Sequence, residues 1–315
     1  MNFSLTTLGV SSASPTTDRY PSAHILNICG RLFLLDCGEG AQMLMKRHGI
    51  SLMKIERIFI SHIHGDHDFG IFGLLSTLSM SGRTEPLHIY APEGFAHVLD
   101  FFREHFLERD VYPVIFHPVS GEAPAVVLED GALTVTAVPL VHRVPTYGYI
   151  FREREPGPNV IKEAVVSHSL SVSEILTLKS GRDVHRNDGT VLTAREMTYI
   201  PYMPRSFAYI SDTAVFDGLS GMLRGVDLLY HEATFGEDCA EKAAEMFHST
   251  AADAARIALE AGVGRLVIGH YSSRYKDPSV LLDQARTIFP ATYPASEGAV
   301  FDVPLKKTIY EQDYF

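Results

Sequence analysis

The chain has 315 residues, 46% of them hydrophobic and 21% charged, a balance that supports a sizeable core and excludes a disordered or fibrous polypeptide. No run approaches the ~18 uninterrupted apolar residues needed to span a bilayer, and the N-terminal Met-Asn-Phe-Ser-Leu lacks the basic and apolar regions of a secretory signal; neither membrane insertion nor export is expected. A net charge of −11 argues against broad electrostatic capture of nucleic acid.

Short β-like runs alternate with helix-like runs along the chain. Residues 31–36 read as a buried strand, and after the Cys37-Gly38 turn a helical pattern covers 39–48 until Gly49 stops it. A strand is expected over 55–60, a helix over 68–79, a strand over 87–90 and a helix over 95–105. Further strands are expected at 133–141, 207–211, 227–230 and 265–269. Thr250 and Asp253 stand at capping-box spacing, opening a helix that Gly262 ends. Between 153 and 204 the pattern weakens into Pro-Gly-Pro, two short helical stretches and Gly-rich turns, which reads as an arm inserted into one continuous α/β domain spanning 1–315. The charge follows this division. Residues 142–206 hold nine Lys/Arg against seven Asp/Glu, while the remainder holds 18 against 31, so a polyanion would meet a local surface or a bound cation.

Cys29, Cys37 and Cys239 are odd in number and never form C-x-x-C. They are expected as buried structural thiols in a reducing, cytoplasmic setting. None has a close Cys or His partner at zinc-finger spacing.

The chemistry is concentrated just past the strand at 55–60, in His62-Ile63-His64-Gly65-Asp66-His67. Imidazoles and carboxylates at this density are costly in a fold unless something pairs them, and a divalent metal does so. His62 and His64 alternate along an extended run and can face one side. Gly65 lets the chain turn, projecting Asp66 and His67 towards a second position. One loop cannot complete two coordination spheres. Candidates for the rest stand just past other apolar runs: His142, Asp212 and His270, as a site at one edge of a β-sandwich requires.

H-x-H-x-D-H followed by a distant His, Asp and His resembles the signature of metallo-β-lactamase-fold hydrolases, and within them ribonuclease Z, the tRNA 3′-processing endonuclease. The resemblance runs the length of the chain: Leu8-Gly9-Val10 with Pro15 and Arg19, Leu35-Asp36-Cys37-Gly38-Glu39, Ser61 to His67, Ser211-Asp212-Thr213, His231-Glu232-Ala233-Thr234, His248-Ser249-Thr250 and Gly269-His270-Tyr271-Ser272-Ser273-Arg274-Tyr275. It implies an αββα sandwich and two zinc ions per subunit. His62, His64 and His142 would hold one ion and Asp66, His67 and His270 the other, with Asp212 bridging.

The resemblance also implies roles. Two zinc ions lower the pKa of a water between them and neutralise phosphate oxygens as charge builds, and Asp66 accepts that water's proton. His248, oriented by Glu232, would protonate the leaving RNA 3′-oxygen, and Arg274 would grip a phosphate. Simpler readings stand beside these: a surface salt bridge for Arg274, a residue flanking the Thr250 cap for His248, and a partner of a metal-bound His for Glu232.

The resemblance implies a homodimer in which one subunit's arm serves its partner's site, gripping precursor tRNA through a Gly-Pro-rich tip. Here the stretch 169–181 lacks that tip and reads as a short amphipathic helix, with Val172, Ile175, Leu176 and Leu178 apolar, packing on the body or on a second subunit. The leading expectation is a zinc-dependent endoribonuclease that removes the 3′ trailer from precursor tRNA. The alternative is a hydrolase of small phosphodiesters or related esters, and a non-catalytic binding protein is a distant third.

Overall fold

Alternation along a single strand sets the layering of the molecule, a computed structural model that describes residues 2–106 and 112–308. In the strand Arg31–Cys37, Leu32 and Leu34 enter one apolar cluster while Phe33 and Leu35 enter another, because successive side chains point to opposite faces. The first cluster is shared with the helices Ala41–Arg47, Gly70–Met80 and Phe95–Phe106. The second joins Phe33, Leu35 and Phe59 to Tyr149, Phe151 and Phe207 of an opposing sheet. Beyond that sheet it continues into the helices Ala251–Ala261 and Ser279–Ile288. The order is therefore helices, sheet, sheet, helices: the expected αββα sandwich.

Each sheet has seven strands. In the first, the order is Val300–Asp302, Phe3–Gly9, Ala23–Ile28, Arg31–Cys37, Ile55–Phe59, Leu87–Pro92 and Val114–Val119. In the second it is Thr292–Pro294, Arg265–Gly269, Leu228–Glu232, Ser206–Ile210, Thr146–Glu153, Leu133–Leu140 and Ala125–Glu129. Parallel pairing sets Ile210 opposite His231 and Glu232 opposite Gly269, so three consecutive strands of the second sheet end side by side. The strand Arg31–Cys37 runs parallel to Ile55–Phe59, which brings Asp36 level with the start of the histidine motif.

The expected elements form within a few residues of their expected ends, with one difference of consequence. A helical turn begins at Gly65 and covers Gly65–Asp68, ahead of Gly70–Met80. Asp66 and His67 thus sit in a first helical turn rather than in a loop before it. Close backbone contact holds that turn in place. A Cβ on Gly70 would lie 2.1 Å from the carbonyl oxygen of Gly38, and one on Gly38 would lie 2.5 Å from that of Asp66. The thiols also differ from expectation. Cys37 is buried, but Cys29 is exposed and Cys239 half-buried, since Cys29 occupies a tight turn at φ 54° and Cys239 the short helical turn Glu237–Cys239.

Residues 153–205, with residues 304–308, form a second compact unit. Its small core consists of Leu170, Leu178, Val184, Leu192 and Ala194. The helix expected within 169–181 forms as Val172–Lys179, opened by a capping box between Ser171 and Glu174. It packs on the unit's own core through Leu178 and the partly buried Ile175. Val172 and Leu176 are 74% and 63% exposed, because a helix this short can turn only one narrow stripe towards so small a core. At the ends of the unit, Arg205 and Glu153 form a buried bidentate pair, with contacts of 2.9 and 2.7 Å, an arrangement with geometric specificity.

Gly70→Ala places a methyl group against a backbone carbonyl with no flexible side chain to yield. It is expected to destabilise the fold by about 1–3 kcal/mol, read as a lower urea midpoint at unchanged slope. A stability equal to that of the wild type would show that the turn relaxes freely.

Candidate metal centre

Each strand end delivers one part of the site. His62 and His64 follow Ile55–Phe59, Asp66 and His67 occupy the next helical turn, and His142 follows Leu133–Leu140. Asp212 follows Ser206–Ile210, and His270 follows Arg265–Gly269. All seven side chains converge. Donor atoms of His62, His64, His142 and Asp212 form one group, those of Asp66, His67 and His270 another, each within 4.8 Å. Asp212 joins them: its Oδ2 is 3.6 Å from Nε2 of both His62 and His67, and its Oδ1 is 3.2 Å from His270 Nε2.

The outer ring nitrogens settle which atoms face inward. His67 Nδ1–H donates to Asp36 Oδ2 at 2.7 Å. His62 Nδ1–H donates to Ser61 Oγ at 3.0 Å, and that hydroxyl donates on to Asp36 at 2.8 Å. His142 Nδ1–H donates to the carbonyl of Phe247 at 3.0 Å. His270 Nδ1–H donates to Thr234 Oγ1 at 2.9 Å, and that hydroxyl donates to Glu232 at 2.7 Å. Each of these rings therefore turns a bare Nε2 inward, the arrangement by which outer hydrogen bonds fix metal-ligating histidines. His64 presents Nδ1 instead, 3.0 Å from His62 Nε2.

Lone pairs this close repel unless a cation lies among them. The donor separations, such as 3.0 Å for His62–His64, 3.2 Å for His67–His270 and 3.4 Å for Asp66–His67, bracket the roughly 3.3 Å edge of a tetrahedron with bonds of about 2.0–2.1 Å. The field has the right sign as well. Burial works to lower His67, yet the carboxylates of Asp66, Asp212 and Asp36 outweigh it and hold the ring well above its ordinary range. Burial and the neighbouring His67 push His62 well below it. One position in the cluster attracts positive charge strongly. Imidazole and carboxylate at these distances fit divalent metal ions.

A second carboxylate organises the rim. The fully buried Glu232 accepts from the backbone N–H of Thr213, Thr234 and Ser249, from Thr234 Oγ1, and from His248 Nδ1 at 2.9 Å. The two readings of Glu232 are thus joined in one residue: it holds His248 directly and His270 through Thr234. His248 stands beside the rings of His142 and His270, at centroid distances of 5.3 and 5.6 Å. Burial acts to lower this imidazole, but the Glu232 carboxylate, then Asp212, push it up to about 9. Thr250 separately caps the following helix. Arg274 is exposed, with its guanidinium 5.2 Å from the Phe235 ring centroid and 2.9 Å from Cys239 Sγ. Among the described residues no carboxylate pairs with it.

Sequence reasoning gave Asp36, Ser61, Thr234 and the Phe247 carbonyl no role. Asp36 left a signal, being a lone acid inside the apolar run 31–37, and it is wholly buried with four donors on it at 2.6–2.8 Å. Phe247 left none, since its carbonyl is aimed by a left-handed backbone at φ 58°, which side-chain patterns do not encode. The peptide N–H of Ala13 likewise reaches Asp66 Oδ2 at 2.7 Å from far off in sequence.

Residues 3–109 match a family model described as anti-Pycsar protein Apyc1, and residues 176–271 match a β-lactamase superfamily domain. The chain is 43% identical to a ribonuclease Z of Bacteroides fragilis over 296 residues, covering 94% of this chain and 97% of the relative. It is 40% identical to a ribonuclease Z of Porphyromonas gingivalis over 301 residues, covering 96% and 99%. Among solved structures it is similar to the short form of human tRNase Z, with TM-score 0.69, 26% identity and coverage of 96% and 99%. The metallo-β-lactamase fold protein YhfI of Bacillus subtilis, at TM-score 0.67, 20% identity and coverage of 96% and 100%, supports the fold alone.

Removing the Asp36 carboxylate frees His67 and, through Ser61, His62. Asp36→Ala is expected to weaken metal binding roughly 10–100-fold in a competition titration against a chromogenic chelator, with the far-ultraviolet circular dichroism retained. Unchanged affinity would reduce Asp36 to a packing residue.

Proposed function

The chain belongs to the ribonuclease Z family, and on that premise we propose that its seven converging His/Asp side chains form a two-zinc centre that cuts the 3′ trailer from precursor tRNA. It is a tRNA 3′-processing endonuclease, a hydrolase that leaves a 3′-hydroxyl on the tRNA. The single observation that carries the mechanistic reading is the convergence of all seven donors beside a buried Glu232–His248 pair.

His62, His64 and His142 would hold one ion and Asp66, His67 and His270 the other, with Asp212 offering its carboxylate to both donor groups. When bound, the two ions supply a Lewis-acidic centre that lowers the pKa of water and neutralises phosphate oxygens. The rest falls to the protein. Asp66 keeps Oδ2 on Ala13 N–H and on the cluster, and its other oxygen receives the proton of the attacking water. On the far side of the phosphorus the leaving 3′-oxygen is a poor leaving group until protonated, and His248 supplies that proton from its ring. Glu232 holds the ring in the protonated state and aims it. Arg274, with no carboxylate paired to it among the described residues, is available to a neighbouring phosphate of the RNA in bidentate fashion. The family's dimer and its cytoplasmic setting complete the reading, with 153–204 as the inserted arm. Among the described residues no helix is long and apolar enough to cross a membrane. Relatives named ribonuclease Z along nearly the whole chain favour RNA over the small-ester alternative.

Incubation with a 3′-extended precursor tRNA is expected to give one cut just past the discriminator base, abolished by chelator and restored by zinc. Turnover of bis(p-nitrophenyl) phosphate alone would overturn the substrate assignment.

His248→Ala is expected to slow RNA cleavage by roughly 10²–10⁴-fold while sparing bis(p-nitrophenyl) phosphate, whose leaving group needs no proton. Because the His248 pKa is raised to about 9, the acid form is present at neutral pH and is lost as pH rises through that value. Glu232→Gln removes the main raising influence, so the alkaline fall in RNA cleavage should move down towards the ordinary value of 6.5. A pH profile identical to that of the wild type would remove His248 from the proton-donating role.

A further inference from the structure

One buried ring touches two side chains that the chemistry above treats separately. Phe235, 5% exposed, stands just past the strand Leu228–Glu232. Its backbone is tied on both sides to the chain that carries His248. Its N–H donates to the carbonyl of Ser249 at 3.4 Å, and its carbonyl accepts from Ala251 N–H at 2.9 Å. The ring meets the His248 imidazole in a T-shaped contact, with centroids 5.9 Å apart. The guanidinium of Arg274 lies over the same ring, 5.2 Å from its centroid.

An exposed arginine loses rotamer freedom when it grips a ligand, and holding it in place beforehand lowers that cost. A carboxylate would hold it too, but would compete with a phosphate for the same N–H groups. A ring face attracts the cation and occupies none of them. The other hold is a weak acceptor: Arg274 Nη1 donates to Cys239 Sγ at 2.9 Å, while the thiol hydrogen goes to Asp238 Oδ2 at 3.3 Å. The guanidinium is therefore placed without a direct ion pair.

Resting on the RNA-cleaving reading given above, we propose that Phe235 is a positioning residue: it holds Arg274 beside His248, so that the guanidinium grips the phosphate on the tRNA side of the cut. In that reading His248 faces the leaving 3′-oxygen. The chain beyond this oxygen is the last nucleotide of the tRNA, and its 5′-phosphate is the next anion on that side. The ring shared by His248 and Arg274 makes this phosphate, rather than one in the trailer, the partner of Arg274. The last nucleotide is then held at both ends, by His248 at its 3′-oxygen and by Arg274 at its 5′-phosphate.

The test uses the intact enzyme and three precursor tRNAs. One is natural, one carries a neutral methylphosphonate in place of the 5′-phosphate of the last tRNA nucleotide, and one carries it at the first phosphate within the trailer. Wild-type enzyme should show a KM roughly tenfold higher for the tRNA-side replacement, the scale of a lost hydrogen bond to a charged group, and an unchanged KM for the trailer-side one. Arg274→Ala should not distinguish the three. Phe235→Leu should shrink the wild-type KM ratio by about 2–5-fold, the scale of one exposed cation–π contact. Phe235→Met, equally without a ring face and better able to fill the space, should do the same. Neither should add to the KM of Arg274→Ala, a coupling that a merely structural loss would not give. Equal KM values for wild-type enzyme on the natural and tRNA-side precursors, or an effect at the trailer phosphate instead, would overturn the placement of Arg274. A full ratio retained by both Phe235 variants would overturn the role of Phe235. Failure of the wild type to cut the natural precursor while still hydrolysing bis(p-nitrophenyl) phosphate would overturn the RNA reading and the positioning role with it.

Discussion

Five imidazoles and two carboxylates share one edge of this sandwich, and their mutual repulsion is the constraint on which the site depends. Brought within 4.8 Å in two groups, they are tolerable only if protons are kept to the outside and positive charge to the inside. The fold meets the first condition with Asp36, Ser61, Thr234 and the Phe247 carbonyl, each binding an outward Nδ1–H. The second calls for cations, which the donor set fits. Asp36 is the keystone of the outer layer because it serves two rings, one directly and one through Ser61, and is itself tied to the opposite sheet by Tyr209. Packing between the sheets and the aim of the ligands are thus one structure.

The same logic recurs at Glu232 on a smaller scale. A buried carboxylate with five hydrogen bonds is costly to assemble and rigid once assembled. Here it connects His248 to the candidate ligand His270 through Thr234, so one group would set both proton donation and metal position. The strand order makes this possible: three parallel strands ending at Ile210, Glu232 and Gly269 deliver Asp212, Glu232 and His270 to one edge. Backbone proximity completes the frame, with Gly38 and Gly70 letting the turn that carries Asp66 and His67 lie directly against the strand end carrying Asp36.

Much of this was legible in the sequence, for physical reasons. Seven candidate ligands that the fold brings together could be named because they stand just past apolar runs, and a strand end is where a polar group can leave a core. The α/β character followed from alternation of strand and helix patterns and the sandwich from the family resemblance, and the Thr250 cap and Gly262 stop bounded their helix correctly. The outer hydrogen bonds were not legible, since Thr234 and Ala13 meet the ligands, and Ser61 meets Asp36, through tertiary contact, and the Phe247 carbonyl is aimed by backbone conformation. The turn at Gly65 was misread as a loop because four residues are too few to show a helical period. In the arm, Val172, Ile175, Leu176 and Leu178 looked like one apolar face. The five-residue core they meet has room for little more than Leu178 and part of Ile175, and that limit of size is invisible in a periodicity.

The central claim is that Asp212 couples two donor groups into one dinuclear centre. The most direct measurement is the metal content of purified protein, by elemental mass spectrometry after equilibration with zinc, for the wild type and for Asp212→Ala. Two ions per wild-type chain, falling to one or none in the variant, is the predicted result. A wild-type chain that binds a single ion, or a variant that retains both, would contradict it.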